Sequence, residues 1–341
     1  MTVQDAAQEW SGVVRTLTIG ANAEHGGTRA SEVVVGGQSR IPFLGFEGSE
    51  PNPPVIAVDL QDRAPVAWPA ALEEVYGDVW SDPAAWARRA VDVGADLLSL
   101  RLEGTHPEAG DHTPEQAAAT VRAVLDAIDV PLVIWGCGQP QKDRVVMPKV
   151  AEVAHGENCL LGSATEEEYR TIVAAAQAYG HSVIAEAPCD INKQKQVNIL
   201  ATDAGFPLSR LVLYPTTAAL GYGMEYIYSI LERGRLAALA GDPFLARPVI
   251  LEIGAEAWRA KEAKAGDEFA DVWGASSERG PVWEAVTATN YLQAGVDILV
   301  MRHPRAIATV RKAIGALADP APEARRGAAR DPAKEVVASR S

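Results

Sequence analysis

The sequence predicts an α/β fold in which eight parallel strands close into a (β/α)8 TIM barrel. Eight short apolar runs occur along the chain, and each ends in small, polar or charged residues that precede a helical stretch. The length of 341 residues and the hydrophobic content of 48% suit one barrel of about 250 residues with extensions. Because such barrels bind ligands at the carboxyl ends of their strands, function is expected on one rim.

Residues 1–54 are predicted to form an N-terminal extension. Two β-rich runs, 13–19 and 32–35, are separated by a turn-forming stretch, which predicts a β-hairpin. Gly36-Gly37 and a cluster of prolines at positions 51, 53 and 54 then lead into the barrel.

Residues 55–318 contain the predicted barrel strands and the helices that connect them. Pro114 near a first turn and the capping-box pair Thr165 and Glu168 mark the starts of helices over 113–128 and 165–179, and a third helix is predicted over 221–239. The segment 254–280 carries Trp258 and Trp273 and is too long for a minimal loop, so it is predicted to cross the rim. The strands are predicted at 55–60, 95–103, 131–136, 159–163, 182–187, 210–214, 248–253 and 296–302.

The last segment, 319–341, is rich in Ala, Arg and Pro and has few apolar residues. A segment of this composition buries too little apolar surface to fold. It is predicted to be a disordered tail.

Charged residues recur near the ends of the predicted strands. Because strand residues alternate between two sides, Ser99, Arg101 and Glu103 are expected to face the barrel interior. Unpaired charges there are costly, so we expect mutual ion pairs. The alternative is that one carboxylate has a raised pKa and performs acid–base chemistry. The other charged residues placed in this region are Asp59, Glu186, Glu252 and Arg302.

Histidine and cysteine also occur at the predicted rim. His106 follows the second strand and His303 the eighth, and each position suits either a base or ligand, or a residue that fixes its loop. Cys137 and Cys189 are expected near this rim, whereas Cys159 begins a strand and belongs at the opposite end. One hypothesis is a zinc site formed by Cys137, Cys189 and His106. The other is that the cysteines are small buried side chains.

Composition argues against several classes of partner. A formal net charge of −14 without a basic patch disfavours nucleic acid and anionic membranes. No apolar run approaches the roughly 18 residues of a membrane span, and the start of the chain lacks signal-peptide regions, so a cytoplasmic protein is expected. The 3 cysteines are too few for a common iron–sulfur cluster, which needs four thiolates.

Two glycine pairs mark loops at the predicted rim. Gly136 and Gly138 follow the third strand. The sixth strand ends at Pro215, and two threonines and the pair Gly221 and Gly223 then lead into a long helix. Neither pair completes a GxGxxG motif, so phosphate binding has no support. Tight turns explain both pairs, and such loops also bring backbone close to a ligand.

Several ungapped blocks resemble the small (delta) subunit of the corrinoid iron–sulfur protein, a component of the acetyl-CoA decarbonylase/synthase (CO dehydrogenase/acetyl-CoA synthase) system. The resemblance extends over roughly residues 10–316. The blocks are IPFLGFEG at 41–48, LRLEGTHP at 100–107, GENCLLGSAT at 156–165, PTTAALGYGMEY at 215–226 and ILVMRHP at 298–304.

This resemblance implies a barrel that pairs with a large iron–sulfur/corrinoid subunit as a heterodimer. A cobamide would lie between the two chains, and this chain would bind no cluster. The assembly would accept a methyl group from a methyl-tetrahydropterin through a separate methyltransferase and deliver it to acetyl-CoA synthase in the reductive acetyl-CoA pathway. Because the cofactor carries the difficult chemistry, no catalytic residue and no metal ligand is expected on this chain.

The resemblance also suggests which residues face the cofactor. A neutral mouth lined by hydroxyl groups and backbone can cover a corrin without coordinating its cobalt. Tyr214 departs from the family motif, which has Asp before Pro-Thr-Thr, and its hydroxyl is expected to replace the lost polar anchor. The expected cofactor-binding residues are Gly136, Gly138, Asp190, Asn192, Thr216, Thr217, Gly221, Tyr222, Gly223 and Met224.

The alternative function is that of an autonomous pterin-dependent methyltransferase that acts on a corrinoid protein. Asp190 and Asn192 at the rim favour it, as does the precedent of barrels that bind reduced pterins. Turnover of methyl-tetrahydrofolate and Co(I) cobalamin by the isolated chain distinguishes this enzyme from a carrier subunit.

Overall fold

The computed structural model describes residues 7–318 and contains a parallel eight-stranded sheet at its centre. The order of its strands is β8-β7-β6-β5-β4-β3-β10-β9. The two edges meet where the Leu213 N–H donates to the Pro248 carbonyl oxygen at 2.8 Å, so the predicted (β/α)8 barrel is confirmed. The strands are β1 (Leu17–Ile19), β2 (Val33–Val35), β3 (Val55–Gln61), β4 (Leu97–Arg101), β5 (Leu132–Trp135), β6 (Leu160–Ala164), β7 (Ser182–Glu186), β8 (Leu211–Tyr214), β9 (Ile250–Leu251) and β10 (Ile298–Met301).

Helices surround the barrel. None of those within residues 7–318 has both the length and the apolar character needed to cross a bilayer. They are α1 (Ala70–Tyr76), α2 (Pro83–Asp92), α3 (Pro114–Ala127), α4 (Pro140–Val153), α5 (Tyr169–Tyr179), α6 (Ile191–Asp203), α7 (Met224–Leu239), α8 (Ile253–Ala257), α9 (Lys261–Lys264), α10 (Ala270–Trp273), α11 (Ser276–Ala294) and α12 (Pro304–Ala318).

Two predicted helix starts have different outcomes. Helix α3 starts as predicted, because Thr113 and Gln116 form a reciprocal capping box around Pro114. Helix α5 starts only at Tyr169, so the predicted start at 165 is wrong. The Glu168 side chain there pairs with Arg144 instead of returning to the backbone of Thr165.

The N-terminal extension closes the amino end of the barrel. β1 and β2 pair antiparallel, which confirms the hairpin. Leu17, Ile19 and Val35 are buried in the same apolar core as the barrel strands. The boundaries at 54/55 and 318/319 stay predictions, and the predicted tail 319–341 lies outside the described residues.

The predicted excursion covers part of the carboxyl rim with the short helices α8, α9 and α10. Its Trp258 is buried against Leu72 and Ala263. The Trp258 indole N–H donates to Glu284 on α11 at 2.8 Å. The excursion is therefore attached to the barrel wall by its own apolar cluster and a buried hydrogen bond.

Candidate functional site at the carboxyl rim of the barrel

Charged side chains meet inside the barrel, below its carboxyl rim. Arg101 on β4 pairs across the lumen with Glu252, which follows β9. The Tyr214 hydroxyl donates to the other Glu252 carboxylate oxygen at 2.7 Å. The Arg302 Nε donates to Asp59 Oδ2 at 2.7 Å. The expected mutual pairing is thus confirmed for these four charges, and Tyr214 supplies a polar anchor.

These contacts shift the pKa values of the two carboxyl groups in opposite directions. Burial raises the pKa of Glu252, but attraction to Arg101 and the Tyr214 hydrogen bond outweigh that effect and hold it below its ordinary value. Burial of Asp59 outweighs its attraction to Arg302, so the pKa of Asp59 is raised. Glu252 is therefore the firmly ionised member of the network.

Aromatic rings support both lumen guanidinium groups. The Arg101 guanidinium lies 5.0 Å from the centre of the Trp135 ring, and that of Arg302 lies 4.2 Å from Trp68. Trp135 is fixed in turn by its indole N–H, which donates to Ser99 at 3.0 Å. Paired charges therefore form the floor of the mouth, below the rim loops that are expected to face the cofactor.

Glu186, at the end of β7, is the lumen carboxylate without a paired cation among the contacts of the described chain. It accepts a hydrogen bond from the Ser163 hydroxyl. Burial raises its pKa, and the nearby Glu252 adds to the increase. The small cavity above it has a volume of about 150 Å³ and is also lined by Arg101, Trp135 and Tyr214.

Two wider clefts continue from this cavity to the rim. One has a volume of about 380 Å³ and shares Gly138, Ser163 and Glu186 with the cavity. The other has a volume of about 580 Å³ and shares Arg101 and Glu252. A groove with charged and polar residues in its lining therefore extends from the small cavity to two sides of the barrel mouth.

The first glycine loop is built around Asp143 on α4. The carboxylate of Asp143 accepts backbone N–H groups from Cys137 and Gly138, both at 2.9 Å. Gly136 is buried, and a Cβ there would lie 2.5 Å from Asp143. Gly138 has a φ of +83° and open space around it. Of this predicted pair, only Gly138 presents a free surface.

The second rim loop divides into supporting and exposed residues. Thr217 is buried, and its hydroxyl oxygen accepts the Glu252 N–H at 2.9 Å. Met224 is buried as the first residue of α7. Gly221 and Tyr222 are exposed, and Gly223 has a φ of +96° next to them. Thr216 is half-exposed with a φ of +69°.

The third predicted segment lies after β7. The Asp190 carboxylate caps α6 by accepting the N–H groups of Asn192 at 2.8 Å and Lys193 at 3.1 Å. The Asn192 side chain is exposed. All ten predicted residues thus follow the carboxyl ends of β5, β7 or β8, and their role in cofactor binding stays a prediction.

The histidines at the rim fix their own loops. His106 Nδ1 accepts the Glu108 N–H at 3.2 Å, and His303 Nδ1 accepts the Arg305 N–H at 3.1 Å. His303 is also stacked on Trp258, with 5.8 Å between ring centres, and burial lowers its pKa to about 4. Both therefore have the loop-fixing role that the sequence left open.

The zinc hypothesis receives no support from the described chain. Within residues 7–318, no group of three or more His, Cys, Asp or Glu side chains is arranged to hold a metal ion. Burial raises the pKa of the Cys137 thiol, whose sulfur lies 3.4 Å from Asp143. Cys159 is buried immediately before β6, at the amino end as expected.

Sequence reasoning missed two residues that shape the site. Asp143 organises the first glycine loop, and Ser163 holds Glu186. Asp143 lies within a helix pattern six residues beyond Cys137, where spacing alone gives no sign that it returns to the loop. Ser163 lies one residue before the end of β6, and a search for polar residues near strand ends would have included it.

Comparisons with known proteins agree with this architecture. The family model described as CO dehydrogenase/acetyl-CoA synthase delta subunit (CdhD) matches residues 17–308. The acetyl-CoA decarbonylase/synthase complex subunit delta of Methanopyrus kandleri is 40% identical over 310 residues, which are 90% of this chain and 76% of that protein. The corresponding subunit of Methanothermobacter thermautotrophicus is 41% identical over 288 residues, covering 84% of this chain and 72% of that protein.

Solved structures share the barrel fold at low identity. Dihydropteroate synthase of Coxiella burnetii, in complex with pteroic acid, has a TM-score of 0.53 at 13% identity, covering 79% of this chain and 94% of that chain. The Stenotrophomonas maltophilia dihydropteroate synthase has a TM-score of 0.52 at 16% identity, with the same coverage. This likeness concerns the fold alone, whereas the match to the family model spans most of the chain. The chain belongs to the CO dehydrogenase/acetyl-CoA synthase delta subunit family.

Proposed function

We propose that this chain is the small subunit of a corrinoid protein within an acetyl-CoA decarbonylase/synthase system. Its barrel mouth covers a cobamide that is shared with a large iron–sulfur subunit. The assembly takes a methyl group from a methyl-tetrahydropterin with the help of a methyltransferase and passes it to acetyl-CoA synthase. The names of the relatives support the assignment of this chain to the complex. The exposed loops at the carboxyl rim support the placement of the cobamide there.

The rim residues fit a cobamide. A corrin is a broad macrocycle with peripheral amides, and a wide polar groove with exposed backbone offers it contact area and hydrogen bonds. The residues that would hold it are Gly138, Thr216, Gly221 and Tyr222, which are exposed or half-exposed at the rim. When bound, the cobamide supplies the cobalt that carries the methyl group.

The observation that carries this proposal is the exposed rim loop at Gly221 and Tyr222, next to histidines that are held within the fold. His303 is buried, and His106 is engaged with its own loop. Burial keeps Cys137 in its neutral thiol form by raising its pKa. A mouth built this way would cover the cofactor without using these three side chains as cobalt ligands.

The experiment measures cobamide retention during gel filtration for this chain, the large subunit and their mixture. Retention is expected to be markedly higher in the mixture. Gly221→Val places a branched side chain at a φ of +77° on the exposed loop and is expected to weaken retention several-fold. The control is Gly234→Val in α7, where no atom lies within 4 Å of an added Cβ. Equal retention by the large subunit with and without this chain contradicts the proposal.

The second candidate is the autonomous pterin-dependent methyltransferase, and Glu186 is the observation that favours it. A carboxylate without a paired cation suits a ligand that offers two adjacent N–H donors. The pyrimidine edge of a pterin has this arrangement. Dihydropteroate synthases of similar fold include one in complex with pteroic acid, and the groove next to Glu186 is open to the rim.

Ligand binding and turnover test this candidate directly. Pterin is compared with lumazine, in which a carbonyl replaces the 2-amino group, by fluorescence titration of the isolated chain. The enzyme hypothesis expects preference for pterin, loss of that preference in Glu186→Gln and its retention in the control Glu232→Gln, which changes an exposed residue of α7. It also expects methyl transfer from methyl-tetrahydrofolate to Co(I) cobalamin. Equal binding of both ligands and no turnover leave the carrier function as the one supported.

A further inference from the structure

Exposed apolar side chains are concentrated on one side of the carboxyl rim. In residues 7–318, more than half of the exposed large hydrophobic side chains lie on the start of α7, on the excursion around α10 and on the outer face of α11. Large exposed apolar patches on a folded protein mark interaction sites. We call this set the flank surface, and it consists of Tyr222, Tyr226, Phe269, Val272, Trp273, Val282 and Val286.

The excursion and α11 form one continuous part of the flank surface. Phe269 and Trp273 stack with 4.7 Å between ring centres. The buried Arg279 of α11 lies 5.8 Å from the Trp273 ring. Val282 lies one helical turn after Arg279, and Val286 lies two turns after it. The side chain of Val282 is 55% exposed and that of Val286 is 37% exposed. The aromatic pair therefore continues into the outer face of the helix.

The flank surface also continues into the rim loop. The Tyr222 hydroxyl donates to Glu262 at 2.9 Å and accepts the Lys261 N–H at 3.0 Å. Trp283 of α11 lies close to Gly221. A protein that covers the flank surface would thus also reach the loop that we expect to contact the cobamide.

Charge indicates which kind of protein fits this surface. Asp267, Glu268 and Asp271 are exposed beside the aromatic pair, and the exposed lysines of the excursion, at 261 and 264, precede them on α9. A partner with Lys and Arg around an apolar patch complements this pattern. A second copy of this chain would bring its own acidic residues against them, at a cost in repulsion.

We propose that the flank surface is the docking site for the corrinoid-carrying large subunit, which contacts it through an apolar patch bordered by Lys and Arg. This inference rests on the proposed function, because the shared cobamide requires a partner at this rim. Apolar burial supplies the affinity, and the acidic border supplies orientation and association rate.

The experiment measures the Kd of this chain for the large subunit by sedimentation velocity. The variant Val272→Asp/Val282→Asp places two charges in the flank surface, where the valines are 80% and 55% exposed. Its Kd is expected to rise at least about tenfold, equivalent to about 1.4 kcal/mol. The control is Val145→Asp on α4, which is 56% exposed outside the flank surface and is expected to bind like the wild type. Circular dichroism spectra that match the wild type show that each variant is folded.

A second pair of variants tests the acidic border. Glu268→Gln/Asp271→Asn is expected to slow association at low salt and to reduce its salt dependence. Wild-type binding of both variant pairs overturns the docking site. A homodimer of this chain that Val272→Asp/Val282→Asp dissociates overturns it too, in favour of a second copy. If the wild-type chain does not bind the large subunit at all, the proposed function itself fails.

Discussion

Thr217 connects the rim loop to the floor of the site at the scale of a single side chain. Its hydroxyl accepts the backbone N–H of Glu252 at 2.9 Å in a buried position. The carboxylate of Glu252 in turn receives Arg101 and Tyr214. One hydrogen bond therefore holds the position of the loop relative to the firmly ionised carboxylate of the lumen.

Thr217→Val is expected to lower the free energy of unfolding by about 1–3 kcal/mol, because it leaves a buried N–H without an acceptor. Urea denaturation followed by circular dichroism measures the change. Thr217→Ser keeps the oxygen and is expected to lose much less. If the Val variant is as stable as the wild type, the hydrogen bond does not fix the loop.

His181 gives the protein a predictable pH dependence. It is fully buried, with Nδ1 accepting the Cys159 N–H at 3.2 Å and Nε2 within 2.9 Å of the Ala151 carbonyl oxygen. Burial lowers its pKa from 6.5 to about 4. Between pH 6.5 and 4 the imidazole of His181 is protonated in the unfolded chain but stays neutral in the folded chain. The contribution of His181 to the free energy of unfolding is therefore complete above pH 6.5 and declines as the pH falls towards 4.

The expected loss over this window is about 3 kcal/mol. Urea denaturation of the wild type and of His181→Gln at several pH values measures it, and the variant is expected to show a shallower decline. His106→Gln, which changes a histidine at the opposite end of the barrel, serves as the control with a wild-type slope. Identical slopes for all three proteins would show that acid destabilisation arises elsewhere.

At the scale of elements, the helix that follows β7 begins with a capping carboxylate. Asp190 accepts two backbone N–H groups of the first turn of α6. The same residue is one of those expected to bind the cofactor. Its geometry is fully explained by capping, so the two roles need to be separated by experiment.

Asp190→Ala is expected to cost about 1 kcal/mol of stability, whereas Asp190→Asn keeps the cap and costs a few tenths. Thermal unfolding of both variants measures this difference. A residue that acts only as a cap will leave cobamide retention unchanged in Asp190→Asn. Strong loss of retention in that variant would assign a direct cofactor contact to the carboxylate.

At the scale of the whole molecule, the extension and the barrel form one folded unit. Arg29 in the extension pairs with Glu157 at 2.9 Å, and both side chains are buried. Its guanidinium also donates to the carbonyl oxygens of Leu125 and Ile128 at the end of α3. The amino end of the barrel therefore depends on a contact between segments more than a hundred residues apart.

Arg29→Ala is expected to lower the free energy of unfolding by about 3–5 kcal/mol, because Glu157 would remain buried without its cation. Chemical denaturation provides the measurement. The comparison is Arg89→Ala, which removes a partly exposed pair with Asp78 and is expected to cost less than about 1 kcal/mol. Similar losses in both variants would mean that burial does not determine the strength of the Arg29 pair.

The sequence by itself determined the eight strands, the hairpin and the set of interior charges. Parallel strands buried on both faces are continuous apolar runs, and alternation along a strand assigns Ser99 and Arg101 to one side. These local rules need no knowledge of distant contacts. They also place every expected cofactor residue near the carboxyl ends of the strands.

Only the tertiary structure decided which charges pair and which rim residues remain exposed. Arg101 meets Glu252 across 151 positions of sequence, and Asp143 returns to the glycine loop that precedes its own helix. Thr217 and Met224 are buried although their neighbours Gly221 and Tyr222 are exposed. The physical reason is that closing the barrel fixes distances between side chains from separate strands, and no local pattern encodes those distances.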